Sequence, residues 1–100
     1  MYFTYIVRCS DNSLYTGITN DIEKRIKKHI SGKGAKYTAS HPVIRLCAIW
    51  ESEDRAIASR LEYHIKCLNK NEKEKLIMGF IQLQDIKGVE SDLYKRREVD

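Results

Sequence analysis

The sequence predicts an α/β mixture of the α+β type, a small antiparallel sheet with helices against it in the order ββαβαα. Three observations predict it. The chain opens on Tyr2–Cys9, rich in aromatic and β-branched residues, and a short polar cluster separates it from a similar run, Leu14–Thr19. Ile22, Ile26 and Ile30 recur every fourth residue, the period of a helix. Val43–Trp50 is a nearly unbroken apolar run of strand length.

The first two strands are close enough in sequence to form an antiparallel hairpin, with Ser10-Asp11-Asn12-Ser13 supplying turn residues. The loop length decides which side chains share a face. A two-residue loop at Asp11-Asn12 puts Tyr5 and Tyr15 on opposite faces. A three-residue loop at Asp11-Asn12-Ser13, with a bulge, puts both on one face. The turn residues permit either. Gly17, inside the second strand, marks the close approach of another group.

Asn20 has the chemistry of a helix N-cap, with Glu23 three residues on and Asp21 in the first turn. Gly32 stops that helix, and Ser31–Pro42 forms a loop. After the Val43–Trp50 strand, Ser52 caps a second helix whose stripe is Ile57, Leu61, Ile65 and Leu68. A third helical pattern follows Asn71 with Leu76, Ile77, Phe80 and Ile81. Residues 1–84 read as one domain and 85–100 as a polar tail whose structure the sequence leaves undecided.

The chain has 100 residues, 42% hydrophobic and 32% charged, which suits one core and not a disordered chain. No apolar run is long enough to span a bilayer and the first residues do not read as a secretory signal, so no membrane is expected and the cytoplasm is the expected location. Cys9, Cys47 and Cys67 are far apart, without a zinc-ligand spacing, and read as small buried hydrophobes. The net charge is +4. Residues 20–50 hold seven Lys/Arg against two Asp/Glu, so the basic excess sits in this one segment. A polyanion selects such a patch, although a solvated helix face has the same composition.

Five polar side chains stand out: Tyr5, Tyr15, Arg25, His29 and Glu62. Arg25 and His29 are one helical turn apart, beside the isoleucine stripe, at the rim where the helix meets the sheet. Each has a bland reading: an arginine stem over apolar surface, tyrosines packed on a sheet, a glutamate paired with Lys66 at i+4. Converging on one surface, they suit phosphoryl-transfer chemistry, with a carboxylate for Mg²⁺ and an arginine bracing phosphate. The loop Gly32-Lys33-Gly34-Ala35-Lys36-Tyr37-Thr38 lacks the spacing of a Walker loop. Lys33, Lys36 and Tyr37, with Lys28 on the preceding helix, are candidate nucleic-acid contacts.

The spacing Tyr5, Tyr15-Thr16-Gly17, Arg25, His29, Glu62 resembles the GIY-YIG nuclease superfamily, and more closely its small single-domain bacterial branch. Ser13–Thr19, Ser31–Thr38 and Leu61-Glu62 with Ile65-Lys66 carry the likeness, which covers residues 2–78. The resemblance implies a three-stranded antiparallel sheet with the site on one face. It implies metal-dependent hydrolysis of DNA phosphodiester bonds, with DNA as the partner and Mg²⁺ or Mn²⁺ as the cofactor. Tyr5 matches the tyrosine of the first motif and Tyr15 that of the second; one of them, or a water they hold, would activate the nucleophile. Arg25 would stabilise the phosphate, His29 would help proton transfer, and Glu62 would hold the metal. The first motif reads Phe3-Thr4-Tyr5 here, keeping only its tyrosine. The asparagine that members often carry after the glutamate has Asn69 and Asn71 in its neighbourhood. The alternative is a nucleic-acid-binding module of the same fold with little or no hydrolysis. So small a domain has little surface for specificity, which leaves room for a targeting protein partner or a dimer; the sequence does not give the oligomeric state.

Overall fold

In the computed structural model, which describes residues 1–99, four strands form one antiparallel sheet in the order β2-β1-β3-β4. The elements are β1 (Tyr2–Cys9), β2 (Leu14–Thr19), α1 (Ile22–Ile30), α2 (Lys36–Ser40), β3 (Val43–Ser52), α3 (Arg55–Lys66), α4 (Lys70–Met78) and β4 (Lys95–Arg97), with 3₁₀ turns at Leu83–Asp85 and Ser91–Leu93. The α+β class and the antiparallel sheet are those expected. The sheet has four strands where three were expected, because Lys95–Arg97 pairs with Ile49–Glu51. Its side chains are exposed and carry no apolar alternation, so nothing in the sequence pattern marks a strand.

The hairpin loop is three residues long, one position earlier than anticipated. Cys9 N–H donates to Ser13 C=O at 2.9 Å and Asn12 N–H to Cys9 C=O at 2.9 Å, so Ser10, Asp11 and Asn12 make the turn. Asn12 sits at φ 71°, the left-handed position that such a loop needs and that asparagine tolerates. The Asp11 carboxylate accepts from Ser13 N and Oγ and holds the turn. The resulting register sets Tyr5 opposite Gly17 and Val7 opposite Tyr15. Both tyrosines therefore share a face.

The sheet separates two cores. On one face Ile6, Ala48 and Trp50 pack with Leu61 and Ile65 of α3, Leu76 of α4, and Leu83 and Ile86 beyond it. On the other, Tyr5, Val7, Cys9 and Val43 pack with Tyr15, Leu46, and Ile22 and Ile26 of α1. Thr4 donates to Ala58 C=O at 2.9 Å and ties α3 to the central strand. Arg8 makes a two-pronged pair with Glu74 at 2.6 and 2.8 Å, joining the hairpin to α4.

Several details depart from the sequence reading. Asp21, not Asn20, caps α1, accepting from Lys24 N at 3.1 Å, because the Thr19 hydroxyl takes the Asp21 N–H. Ser52 belongs to β3 and Asp54 caps α3. Asn69, one of the two asparagines considered for the site, caps α4 in a reciprocal box with Glu72. Ile30 is exposed and His29 takes its place in the buried stripe, while Phe80 lies beyond α4, exposed. Of the cysteines only Cys9 is fully buried and Cys67 is exposed.

The chain after α4 is held by Leu83 and Ile86 in the core, by the pairing of β4, by the Tyr94 hydroxyl donating to Ile57 C=O at 2.7 Å, and by Arg96. Arg96 donates to Leu76 and Ile77 C=O at 2.8 and 2.6 Å, capping the end of α4, and its guanidinium lies 5.3 Å from the Trp50 ring. Arg96→Ala is expected to lower the unfolding free energy by about 1–3 kcal/mol in urea titration. Arg97→Ala, which breaks only the exposed pair with Glu51, is expected to cost less than about 1 kcal/mol.

Candidate active site

The site grows from the α1 face of the hairpin. Tyr5, on the central strand and fully buried, points toward α1. Its hydroxyl lies 2.6 Å from His29 Nε2 and 3.4 Å from Arg25 Nε. The one-turn spacing of Arg25 and His29 sets both against the same phenol. Gly17 leaves the room: a Cβ there would stand 2.5 Å from the Tyr5 hydroxyl oxygen. The close approach that this glycine signalled in the sequence is thus Tyr5 itself.

His29 is buried completely, not at the rim where the helix geometry alone placed it. Its second nitrogen, Nδ1, lies 2.7 Å from Thr38 Oγ1, which α2 brings inward. Gly34 is needed for that approach, since a Cβ would fall 2.5 Å from Nδ1. The Tyr5–His29 pair is therefore flanked by two glycines, one on β2 and one on the loop.

Aromatic rings extend the site outward. Tyr15 lies 5.4 Å from the His29 ring and 6.0 Å from Tyr37, nearly parallel to the latter. Tyr37 in turn stacks on His41 at 4.0 Å. Lys66 Nζ stands 5.9 Å from the Tyr15 ring centre and 3.2 Å from Glu62 Oε2, so α3 reaches the site around the β2 edge.

The electrostatics separate the members. Burial holds His29 down at about 4, with the Arg25 charge adding to it, so the imidazole is neutral at physiological pH. Burial raises Tyr5 above its ordinary 10; the Arg25 hydrogen bond and charge oppose this, and the neighbouring Tyr15 and Glu62 add to it. Arg25 is raised, first by its hydrogen bond to Tyr5.

The structure thus brings Tyr5, Arg25 and His29 into direct contact and sets Tyr15 against the His29 ring. Glu62 lies at the margin, paired with Lys66. Lys28, Lys33 and Lys36 are exposed around the site and contribute no side-chain contact to the network. Lys24, Arg25 and Lys28 line a shallow hollow of about 190 Å³ with Thr19, Asn20 and Asp21. A larger hollow of about 490 Å³, by Trp50 and Arg96, contains none of these groups. Sequence reasoning gave Thr38 and Lys66 no role in the site; both lie in segments that carry the family likeness, but Lys66 was otherwise visible as the i+4 partner of Glu62 and Thr38 carried no periodic signal.

Among the described residues no three His, Cys, Asp or Glu converge as a metal cage. Glu62 offers one half-buried carboxylate beside the phenols. That donor set fits a hard divalent ion that takes its remaining ligands from water and phosphate, as Mg²⁺ does, and not a tightly caged one.

The sheet, with α1 on one face and α3 and α4 on the other, thus carries a phenol, an imidazole and a guanidinium in contact, with one carboxylate at their margin. The chain belongs to the GIY-YIG family of nucleases: residues 1–75 match the family described as "GIY-YIG catalytic domain". It is 47% identical over 76 residues to UPF0213 protein BH0048 of Halalkalibacterium halodurans, covering 76% of this chain and 81% of that protein. It is 44% identical over 85 residues to UPF0213 protein YhbQ of Escherichia coli, covering 82% and 85%. The solution NMR structure of UPF0213 protein BH0048 from Bacillus halodurans superposes with a TM-score of 0.50 at 48% identity, covering 78% of this chain and 84% of that one. Among the described residues no helix is long and apolar enough to cross a membrane.

The neutral, buried imidazole has a thermodynamic signature. Unfolded, His29 returns to its ordinary 6.5, so between pH 6.5 and about 4 the unfolded chain binds the extra proton. Stability is therefore expected to fall as pH falls through that window, by up to about 3 kcal/mol from this group. Urea titrations across it should show a shallower loss in His29→Gln than in the wild type.

Proposed function

We propose that this protein is a metal-dependent endonuclease that hydrolyses DNA phosphodiester bonds with Tyr5 as the group that activates water. The observation that carries the reading is the Tyr5 hydroxyl held between His29 Nε2 and Arg25 Nε. Arg25 has only donors, so the Tyr5 proton has His29 as its acceptor. As the Tyr5 oxygen takes a proton from water, Tyr5 passes its own to His29 Nε2. The water oxygen bonds to phosphorus, the bond to the leaving sugar oxygen breaks, and that oxygen leaves as an alcohol with a proton from solvent. His29 then returns its proton to the Tyr5 oxygen, which gives one up to solvent, so that both groups end as they began. Arg25 lies where it stabilises the charge that gathers on the phosphate.

In the free protein this transfer is uphill, because burial holds the phenol high and the imidazole low. Glu62 would hold Mg²⁺ or Mn²⁺, which when bound supplies positive charge to the phosphate and favours the deprotonated nucleophile. Tyr15 walls the His29 ring, and Lys28, Lys33, Lys36 and Tyr37 form the basic, aromatic-bearing rim for the DNA backbone.

Cleavage of labelled single-stranded, duplex and branched DNA with Mg²⁺, Mn²⁺ or EDTA tests the reading. Wild type is expected to cut only with metal; Tyr5→Phe, Arg25→Ala and Glu62→Ala are each expected to lose about 10²-fold or more. Glu62→Ala cutting at the wild-type rate would remove the metal role. A wild type that binds DNA with a steep salt dependence and never cuts would replace the nuclease by a binding module.

A further inference from the structure

The polar network does not end at His29. Thr38 Oγ1, 2.7 Å from His29 Nδ1, also lies 3.1 Å from Ala35 C=O and 3.2 Å from Ala35 N. Tyr5, His29 and Thr38 are all fully buried, so each donor and acceptor needs a protein partner.

Donor capacities fix the direction of every bond. Arg25 cannot accept, so the Tyr5 hydroxyl donates to Nε2. A neutral imidazole that accepts at Nε2 carries its hydrogen on Nδ1. That hydrogen goes to Thr38 Oγ1, which also accepts from Ala35 N–H and sends its own hydrogen to Ala35 C=O. The opposite tautomer would put the Nε2 hydrogen against Tyr5, whose own buried hydrogen would then face only donors.

We propose that Thr38 is a positioning residue for His29, fixing the Nδ1–H tautomer and the plane of the ring so that Nε2 is the basic nitrogen facing Tyr5. The inference rests on the reading of Tyr5 and His29 as a proton-handling pair. Thr38 does this without charge. The groups facing the ring are Arg25, Tyr5, Tyr15 and Thr38, and none is a carboxylate. The imidazole is thus oriented as by the acid of a hydrolase triad, yet without an anion to stabilise its protonated form. The five-residue α2 has a definite task in this arrangement: it carries Thr38 inward through the gap that Gly34 leaves.

The test uses the full ¹⁵N-labelled chain, with imidazole ¹H–¹⁵N correlations reading the tautomer and DNA cleavage read alongside. Wild type and Thr38→Ser are expected to show His29 as the Nδ1–H form. Thr38→Val, of nearly the same shape, is expected to lose that form and to lower kcat at least about tenfold with KM little changed, and Thr38→Ser to restore both. A Thr38→Val protein that keeps the tautomer and the rate overturns the proposal. So does a wild type whose His29 carries its hydrogen on Nε2, a reading that stands even where Thr38→Val fails to fold. A wild type that shows the Nδ1–H form but never cuts DNA removes the nuclease reading and leaves the tautomer assignment standing.

Discussion

A phenol and an imidazole buried together must satisfy each other. Much of this small fold is arranged around that requirement. Tyr5 and His29 meet at 2.6 Å across the sheet–helix boundary, 24 residues apart in sequence. For them to meet, the hairpin must show Tyr5 to α1, α1 must turn His29 inward in place of Ile30, and position 17 must lack a side chain. Position 34 must lack one too, so that the far side of the ring can be closed. A buried polar pair that is fully matched costs little, whereas one left half-matched is among the most expensive things a core can contain.

The charged groups are kept outside this neutral pair. Arg25 alone reaches in, along the edge of the ring and phenol. The lysines of α1 and the following loop stay at the surface, and Glu62 waits at the β2 edge, held by Lys66. A phosphate would therefore meet cations first and the phenol last. The division suits a site that must attract a polyanion without burying an ion of its own before the substrate arrives.

How much of this was legible in the sequence depends on the range of the interaction that decides it. Strands and helices were readable because alternation and three-to-four spacing are local. Gly17 was readable as a point of close approach, though not what approaches it. The hairpin register was undecided because both loop lengths satisfy the turn residues; the left-handed conformation of Asn12 settles it. His29 looked like a rim residue because its burial depends on Tyr5 and Thr38, which chain folding, not helix periodicity, brings to it. The fourth strand was invisible for the same reason. Lys95–Arg97 has no apolar pattern, and what fixes it is Arg96 lying over Trp50 and the end of α4.

The turn at Ser10–Asn12 has a consequence for how such a chain tolerates change over time. Strand pairing has a parity: side chains alternate, so a single residue gained or lost in the loop does not shift the hairpin gradually but exchanges its two faces. Tyr15 and Gly17 would pass to the α3 side together, and Tyr5 would face the side chain of Thr16 or Ile18 in place of open space. Most surface loops absorb insertions without loss. This one is counted in whole residues, and its length is as much a part of the site as any side chain in it.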